Sequence, residues 1–263
     1  MADLITLSRA KYNLANLTTS TAEDTTLAAL ISASSAAIAQ FCGHDFSATV
    51  RDERYNGSPD RLLILQHYPV IEVRRVASEP TVVLRIQNNS ASNQRATVAI
   101  LTTGLKLVRV ASGTTTTDTT VTWSGNATLT SVANAVNALG NGWTAEVISP
   151  HGNRASADLI PDGAFHCQDR WAEISLHIED VNDWSIDFER GWLTRTGGWS
   201  MEERRYRVVY QSGYSSIPED VQEACAEWVA ALFWQTKDNP AVAPTLPPDG
   251  VRRILISYRH RHL

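Results

Sequence analysis

Apolar residues recur at helical spacing through the first 43 positions and at alternating positions from Arg51 onward, so the chain opens in helices and continues in strands. Leu7, Ala10, Lys11 and Leu14 lie one helical turn apart behind Thr6, whose hydroxyl suits an N-cap. Ser20-Thr21-Ala22-Glu23-Asp24 starts a second helix, with hydroxyl caps and acids where the helix dipole favours them. Leu27, Leu30, Ile31, Ile38 and Phe41 mark its inward face and Gly43 its stop, which makes Leu27, Ile31 and Ile38 core candidates. Small residues fill the other positions. Ala29, Ala33, Ala36 and Ala37 either present a smooth face to a neighbouring subunit or simply belong to a surface helix of high propensity.

Short strands are expected at Arg51–Tyr55, Leu62–Leu65 and Ile71–Val76, bounded by Asn56-Gly57-Ser58-Pro59 and by Pro69. Beyond Pro80 the composition shifts. Residues 81–150 carry only Arg85, Arg95, Lys106, Arg109, Asp118 and Glu146 as charges, among many Ser, Thr, Asn and Ala. Val82–Ile86, Thr97–Leu101 and Leu105–Val110 alternate as strands, and Thr114–Thr117 is a polar β-prone edge or loop. Leu129, Val132, Val136 and Leu139 form a helical stripe ending at Gly140, and Trp143–Ile148 returns as a strand. This stretch reads as a self-contained α+β unit. Residues 150–183 give weak strand signals. Strand character resumes at Trp184–Phe188 and Tyr206–Tyr210, and Ile217-Pro218-Glu219-Asp220 opens a late helix. Val221, Cys225, Trp228, Val229 and Leu232 form its buried face, with Trp228 and Leu232 as core anchors. Asn239-Pro240 ends it, and a proline-rich linker leads to a last element, Val251–Leu263, with four Arg, two His and no acid.

Composition narrows the classes. With 43% hydrophobic and 19% charged residues over 263 positions, the chain is globular and long enough to bury a core without disulfide or metal staples. A net charge of −5 argues against gripping nucleic acid by bulk electrostatics. No apolar run approaches the roughly 18–20 residues that a membrane span requires, and the N-terminus lacks the basic-then-apolar order of a signal peptide. Cys42, Cys167 and Cys225, odd in number and far apart, fit a reducing compartment.

Catalytic signatures are absent: no P-loop, G-x-G-x-x-G after a strand, H-E-x-x-H, G-x-S-x-G or C-x-x-C occurs. Cys42, His44 and Asp45 lie together at a helix exit, where near neighbours rarely face one another, so Cys42 reads as a small buried hydrophobe. His166-Cys167 and His260-Arg261-His262 lack a second ligand pair for zinc, and the acids between Asp158 and Asp183 lack calcium-loop spacing. No catalytic residue, metal ligand or cofactor is therefore expected. Trp171, Trp184, Trp192 and Trp199 fall close together and serve either as a carbohydrate platform or, the preferred reading, as packing. Arg252, Arg253, Arg259 and Arg261 suit DNA phosphates or an acidic protein partner, and so short a basic segment on an acidic chain favours the protein.

The order of these features resembles the tailed-phage head–tail connector family, the adaptor or head-completion proteins. Its opening Leu-Ile-Thr-Leu-x-x-Ala-Lys is similar to Leu4–Lys11, and its second helix to Asp24 through Ile38, with Ser34 in place of the commoner Ala. A strand pair of the form Tyr-x-Gly, Leu-x-Leu, Pro-Val-x-x-Val resembles Tyr55, Gly57, Leu63, Leu65, Pro69, Val70 and Val73. The late Val-x-Tyr-x-x-Gly-Tyr with Pro-x-Asp-Val-x-x-Ala looks like Val208, Tyr210, Gly213, Tyr214, Pro218, Asp220, Val221 and Ala224. The closing Leu-Leu-x-x-Tyr-Arg resembles Ile254–Arg259. The resemblance covers residues 1–78 and about 184–263; the long middle departs from the pattern.

It implies an α+β fold: a helical-bundle connector core with short β-strands from residues 1–78 and 184–250, plus an inserted β-rich α+β domain at 79–183. Residues 251–263 would be a portal-docking arm using Arg252, Arg253, Ile254, Leu255, Tyr258, Arg259 and Arg261. Ala29, Ala33, Ala36 and Ala37 would face the next subunit of a homo-oligomeric ring, expected to number twelve, beneath the portal protein. The ring would lie in the virion, after synthesis in the host cytoplasm, and bind a tail or stopper protein. Genomic DNA would pass through its lumen without sequence-specific contact, and no membrane is expected. Two other classes stay open: a tail-associated carbohydrate-binding or adhesion module, and a hydrolase with an unrecognised site.

Overall fold

The computed structural model describes residues 3–14, 21–118, 121–238 and 247–259. The helix stop at Asn239-Pro240, linker residues 241–246 and Arg261 lie outside the described residues. Helices α1 (Leu7–Asn13) and α2 (Asp24–Cys42) come first. The Thr6 hydroxyl accepts from the Arg9 amide, and α2 ends at Gly43 in the left-handed region at φ 79°. Strands β1 (Thr49–Tyr55), β2 (Leu62–Ile64) and β3 (Val70–Asn88) follow. The middle of the chain supplies β4 (Asn93–Leu101), β5 (Gly104–Ala111), β6 (Thr114–Thr117), β7 (Val121–Thr122), α3 (Leu129–Ala138), β8 (Trp143–Val147), β9 (Asp162–His166) and β10 (Ala172–Asp180). The chain closes with β11 (Trp184–Asp187), β12 (Trp192–Arg195), β13 (Tyr206–Ser212), α4 (Glu219–Asp238) and α5 (Asp249–Leu255).

These strands build three antiparallel sheets. One runs β1-β13-β3-β10 with β8 also on β3, a second β11-β12-β2, and a third β6-β5-β4-β9 with β7 on β5. The expected helical-bundle core with short strands is therefore corrected: sheets dominate the structure, and the chain's two ends contribute to two of them. The reason lies in the strands themselves. The short alternating runs at both ends find one another over large sequence separations, Thr49 pairing with Ser212 and Leu63 with Leu193, and they enclose a core of their own. Tyr55, Leu63, Leu65, Val76, Leu193, Trp199, Tyr206, Val208 and Tyr210 are all buried in it.

Strand β3 is 19 residues long and continuous through Pro80, so Ile71–Val76 and Val82–Ile86 are one element, and residue 78/79 falls inside it. It pairs with β13 up to Ala77, with β10 from Ala77 to Ile86, and with β8 from Leu84. Between Ala77 and Leu84 one edge of β3 has no strand partner, which is where a residue lacking an N–H is tolerated. Glu79, with φ 55°, turns the strand at this point. Strand β10 lies in the stretch of weak signal, although Ala172, Ile174 and Leu176 alternate and are buried.

The helices pack as a separate cluster in which Leu27, Ile31, Ile38, Trp228 and Leu232 are all buried, with Val221, Cys225 and Val229. Helix α2 corrects the membrane reading. Its 19 residues, at mean hydropathy 1.4, are long and apolar enough to cross a membrane. Its buried residues Leu27, Ile31 and Ile38 pack against α1, α4 and α5. A third cluster, between β3, β4, β5, α3, β8 and β10, forms the core of the middle region.

Polar contacts tie the regions together. Glu53 Oε2 accepts from the hydroxyls of Tyr55 at 2.5 Å and Tyr210 at 2.7 Å. Those hydroxyls in turn accept from the Gln66 and His67 amides, pinning the β2–β3 loop to β1 and β13. Arg207, almost fully buried, donates to both carboxylate oxygens of Asp52 and to the carbonyl of Asp158 at 2.6 Å. Arg54 pairs with Asp162 at 2.7 Å, so strands from the chain's ends hold residues 158–162 of the middle region by charge-assisted bonds. Buried His177 donates from Nε2 to the Arg204 carbonyl at 2.8 Å, while its Nδ1 has no hydrogen-bond partner among the described residues.

Trp228→Ala removes an aromatic anchor from the helical cluster and is expected to cost about 3–5 kcal/mol, read from denaturant midpoints. A second expectation concerns pH. Burial, aided by the charges of Arg207, Arg54 and Arg75, holds His177 below the ordinary imidazole range. The unfolded chain therefore takes up this proton first, and stability should fall as pH drops below about 6.5. Burial and Arg51 lower His67 too, which acts in the same direction. Urea midpoints that stay constant from pH 7.5 to pH 5 would contradict this.

Candidate assembly surfaces

The C-terminal helix is amphipathic, and its two sides have different fates. Val251 and Leu255 are fully buried against α2 and α4, whereas Arg252, Arg253, Ile256 and Arg259 are exposed. Ile254 and Tyr258 are half-buried. Of the predicted arm, then, Leu255 is an internal anchor and the arginines form the outward face. The segment is seated by contacts that sequence reasoning did not single out. The Tyr258 hydroxyl donates to the Asp220 carboxylate at 2.8 Å, and the Cys42 thiol donates to the Leu255 carbonyl at 3.7 Å. Phe46 lies in an aromatic cluster with Tyr214, ring centroids 5.8 Å apart, and with Tyr258, also at 5.8 Å. The Arg259 guanidinium sits 5.6 Å over the Phe41 ring.

On α2 the small residues lie on the side away from the helical core. Ala29, Ala33 and Ala36 are exposed and Ala37 is half-buried, beside exposed Thr25, Ala28, Ser32 and Gln40. No charged residue occurs between Thr25 and Cys42, so this face is uncharged for the length of the helix.

The residues first weighed for chemistry do not converge. Burial pushes the Cys42 thiol up to about 11, and the Asp45 carboxylate pairs with Arg51 at 3.2 Å. Cys167 and Cys225 are buried and free, with thiols pushed by burial to about 12 and about 11. Among the described residues no group of three or more His, Cys, Asp or Glu is placed to hold a metal ion. The four tryptophans differ in environment, Trp199 being buried and Trp171, Trp184 and Trp192 half-buried. Trp199 is buried with its indole N–H on the Arg61 carbonyl, and Trp184 donates to the Val181 carbonyl. Trp171 and Trp192 lie under the guanidinium groups of Arg85 and Arg190.

Two motif glycines mark where the chain's ends cross. A Cβ on Gly57 would lie 1.6 Å from the carbonyl oxygen of Ser200, and one on Gly213 would lie 2.4 Å from that of Ser47. Gly213 also has φ 103°, a conformation that side chains disfavour. Each glycine thus lets backbone from the opposite end of the chain pass close by.

No family model matches the chain, and no curated protein does. Among solved structures, a chain in the neck of an empty GTA particle, computed with C6 symmetry, is similar to this one at 13% identity and a TM-score of 0.34. The match covers 100% of this chain and 96% of that one, but a TM-score so low does not establish a shared fold.

Gly213→Ala forces both backbone strain and a clash with Ser47, and is expected to destabilise the protein by at least about 1 kcal/mol. Alanine at Gly197, which has open space around it, serves as the neutral control in the same thermal melts.

Proposed function

We propose that this chain is a structural subunit of a phage-type head–tail junction, a ring expected to number twelve between portal and tail. The observation that carries the reading is the reciprocal crossing at Gly57 and Gly213. Glycines quoted from an early and a late motif each sit where backbone from the other end of the chain passes. The motif-bearing strands continue the same pattern, with β13 inserted between β1 and β3. Val221 and Ala224 of the late motif share one core with Leu27 and Ile31 of the second helix. Residues 1–78 and 184–250 then act as the connector portion, and residues 79–183 as an insertion carried on β3 and β10.

In this reading the uncharged face of α2, with Ala29, Ala33, Ala36 and Ala37, packs against the next subunit. The outward face of α5 presents Arg252, Arg253 and Arg259 to carboxylates of the portal, where guanidinium groups pair bidentately. A tail or stopper protein docks on the opposite rim, and DNA passes through the lumen of acidic subunits without being held. The subunit works by assembly in the virion, with no chemical step.

Negative-stain microscopy of the purified protein, alone and with portal, should show rings. Ala33→Glu on the exposed face of α2 should leave a folded chain that no longer forms them. Charge reversal at Arg252, Arg253 and Arg259 should keep the fold and weaken portal attachment at least tenfold. A monomer at every concentration, with and without portal, would overturn the proposal.

A further inference from the structure

The sequence contains two Asn-Gly pairs, Asn56-Gly57 and Asn141-Gly142, a dipeptide in which the following amide nitrogen can approach the asparagine side chain with no Cβ in its way. Both asparagines are exposed and both glycines are half-buried, so burial does not separate the two pairs. Hydrogen bonding does. The Gly57 amide donates to the Glu202 carbonyl at 2.9 Å, and Asn56 Oδ1 accepts from the Arg204 amide at 2.8 Å. Nucleophile and target are thus each held at the first pair. The Gly142 amide donates no hydrogen bond among the described residues, and the Asn141 side chain makes one contact, from Nδ2 to Asp118 Oδ1 at 3.3 Å.

We propose that Asn141 is a site of spontaneous deamidation, favoured over Asn56 by the free amide that follows it, and that the product loosens the turn between α3 and β8. The Gly142 nitrogen gives its proton to solvent base and attacks Asn141 Cγ. The Cγ–Nδ2 bond breaks, Nδ2 leaves as ammonia with a proton from solvent, and a succinimide ring remains. Water then opens the ring. Cleavage of the new Cγ–N bond gives aspartate, and cleavage of the original peptide bond gives isoaspartate, whose main chain runs through Cβ and Cγ. The net change is asparagine plus water to aspartate or isoaspartate plus ammonia, with nothing oxidised or reduced.

The contacts of this turn make it sensitive to the change. The buried carboxylate of Asp118 already accepts from the Arg109 guanidinium at 3.0 Å and from the Trp143 indole at 2.6 Å. Replacing the Asn141 amide by a carboxylate sets a second negative charge against it, where the amide had donated. The Asn141 carbonyl accepts from the side-chain amides of Asn88 at 3.1 Å and Asn93 at 3.3 Å, and the Gly142 carbonyl accepts from the Asn89 amide at 2.9 Å. Isoaspartate lengthens the main chain between these two acceptors and so draws them out of register with residues 88–93.

The test is peptide mapping by mass spectrometry of the full chain incubated at pH 8.5, with fragmentation to place the mass gain of an amide turned to acid. Freeing Asn56-Gly57 requires two hydrogen bonds to open, which predicts conversion at Asn141 at least about tenfold faster. In urea, where neither pair is held, the two should convert at similar rates. Asn141→Gly, which the left-handed φ of 53° accepts, should fold and show no gain at this position. Asn141→Asp, the direct product, should melt below the wild type. Native Asn141 converting no faster than Asn56, or a rate difference that persists in urea, would overturn the site. An Asn141→Asp chain that melts with the wild type would overturn its effect on the turn.

Discussion

The constraint on which the rest depends is the continuity of β3. One 19-residue strand serves three ladders in succession, with β13, β10 and β8, and so contributes to the core of the chain's ends and to that of the middle region. Backbone hydrogen bonding leaves little choice in such an element, because each buried N–H and C=O must find a partner. A single strand that supplies edges to both regions makes their relative placement a matter of ladder register. Pro80 and Glu79 sit where one edge is without a strand partner, so the strand turns there with little loss of ladder bonds.

Arginines reinforce this spine. Arg54 and Arg207 reach from β1 and β13 to Asp162 and to the carbonyl of Asp158. Arg207 is deeply buried and bonded through both arms of its guanidinium, which suits a fixed joint. The outward arginines of α5 differ in environment. Arg252 lies 3.9 Å from Asp249 and Arg259 stacks on an aromatic ring, which leaves the charge of this face at the surface. The same residue type thus does two jobs, decided by whether the guanidinium is buried among its acceptors or left at the surface. This division underlies the proposed portal contact, since the segment presenting the charge is the one whose Tyr258 meets His44 and Asp220.

Much of the fold was legible because local pattern and burial agree. The 3.6-residue stripe of α2 identified Leu27, Ile31 and Ile38, and the late helix identified Trp228 and Leu232. Gly43 ended its helix through a left-handed conformation that the residue type favours. The expectation of a helical core failed because short strands weigh little one by one. Arg51–Tyr55 and Tyr206–Tyr210 acquire their importance only by pairing over 150 residues apart. The β10 alternation was visible in Ala172, Ile174 and Leu176, but polar neighbours on its open face masked it.

The sequence by itself determined which residues turn inward, where helices start and stop, and that basic charge gathers at the C-terminal end. Those properties follow from side-chain chemistry within a few positions of one another. Only the tertiary structure decided that β3 is one strand, that Leu255 is an anchor while Arg252 and Arg253 face out, and that His44 meets the carbonyl of Tyr258. Each of these depends on contacts between segments far apart in the chain, and a hydrogen bond formed at 3 Å leaves no trace in the spacing of residues.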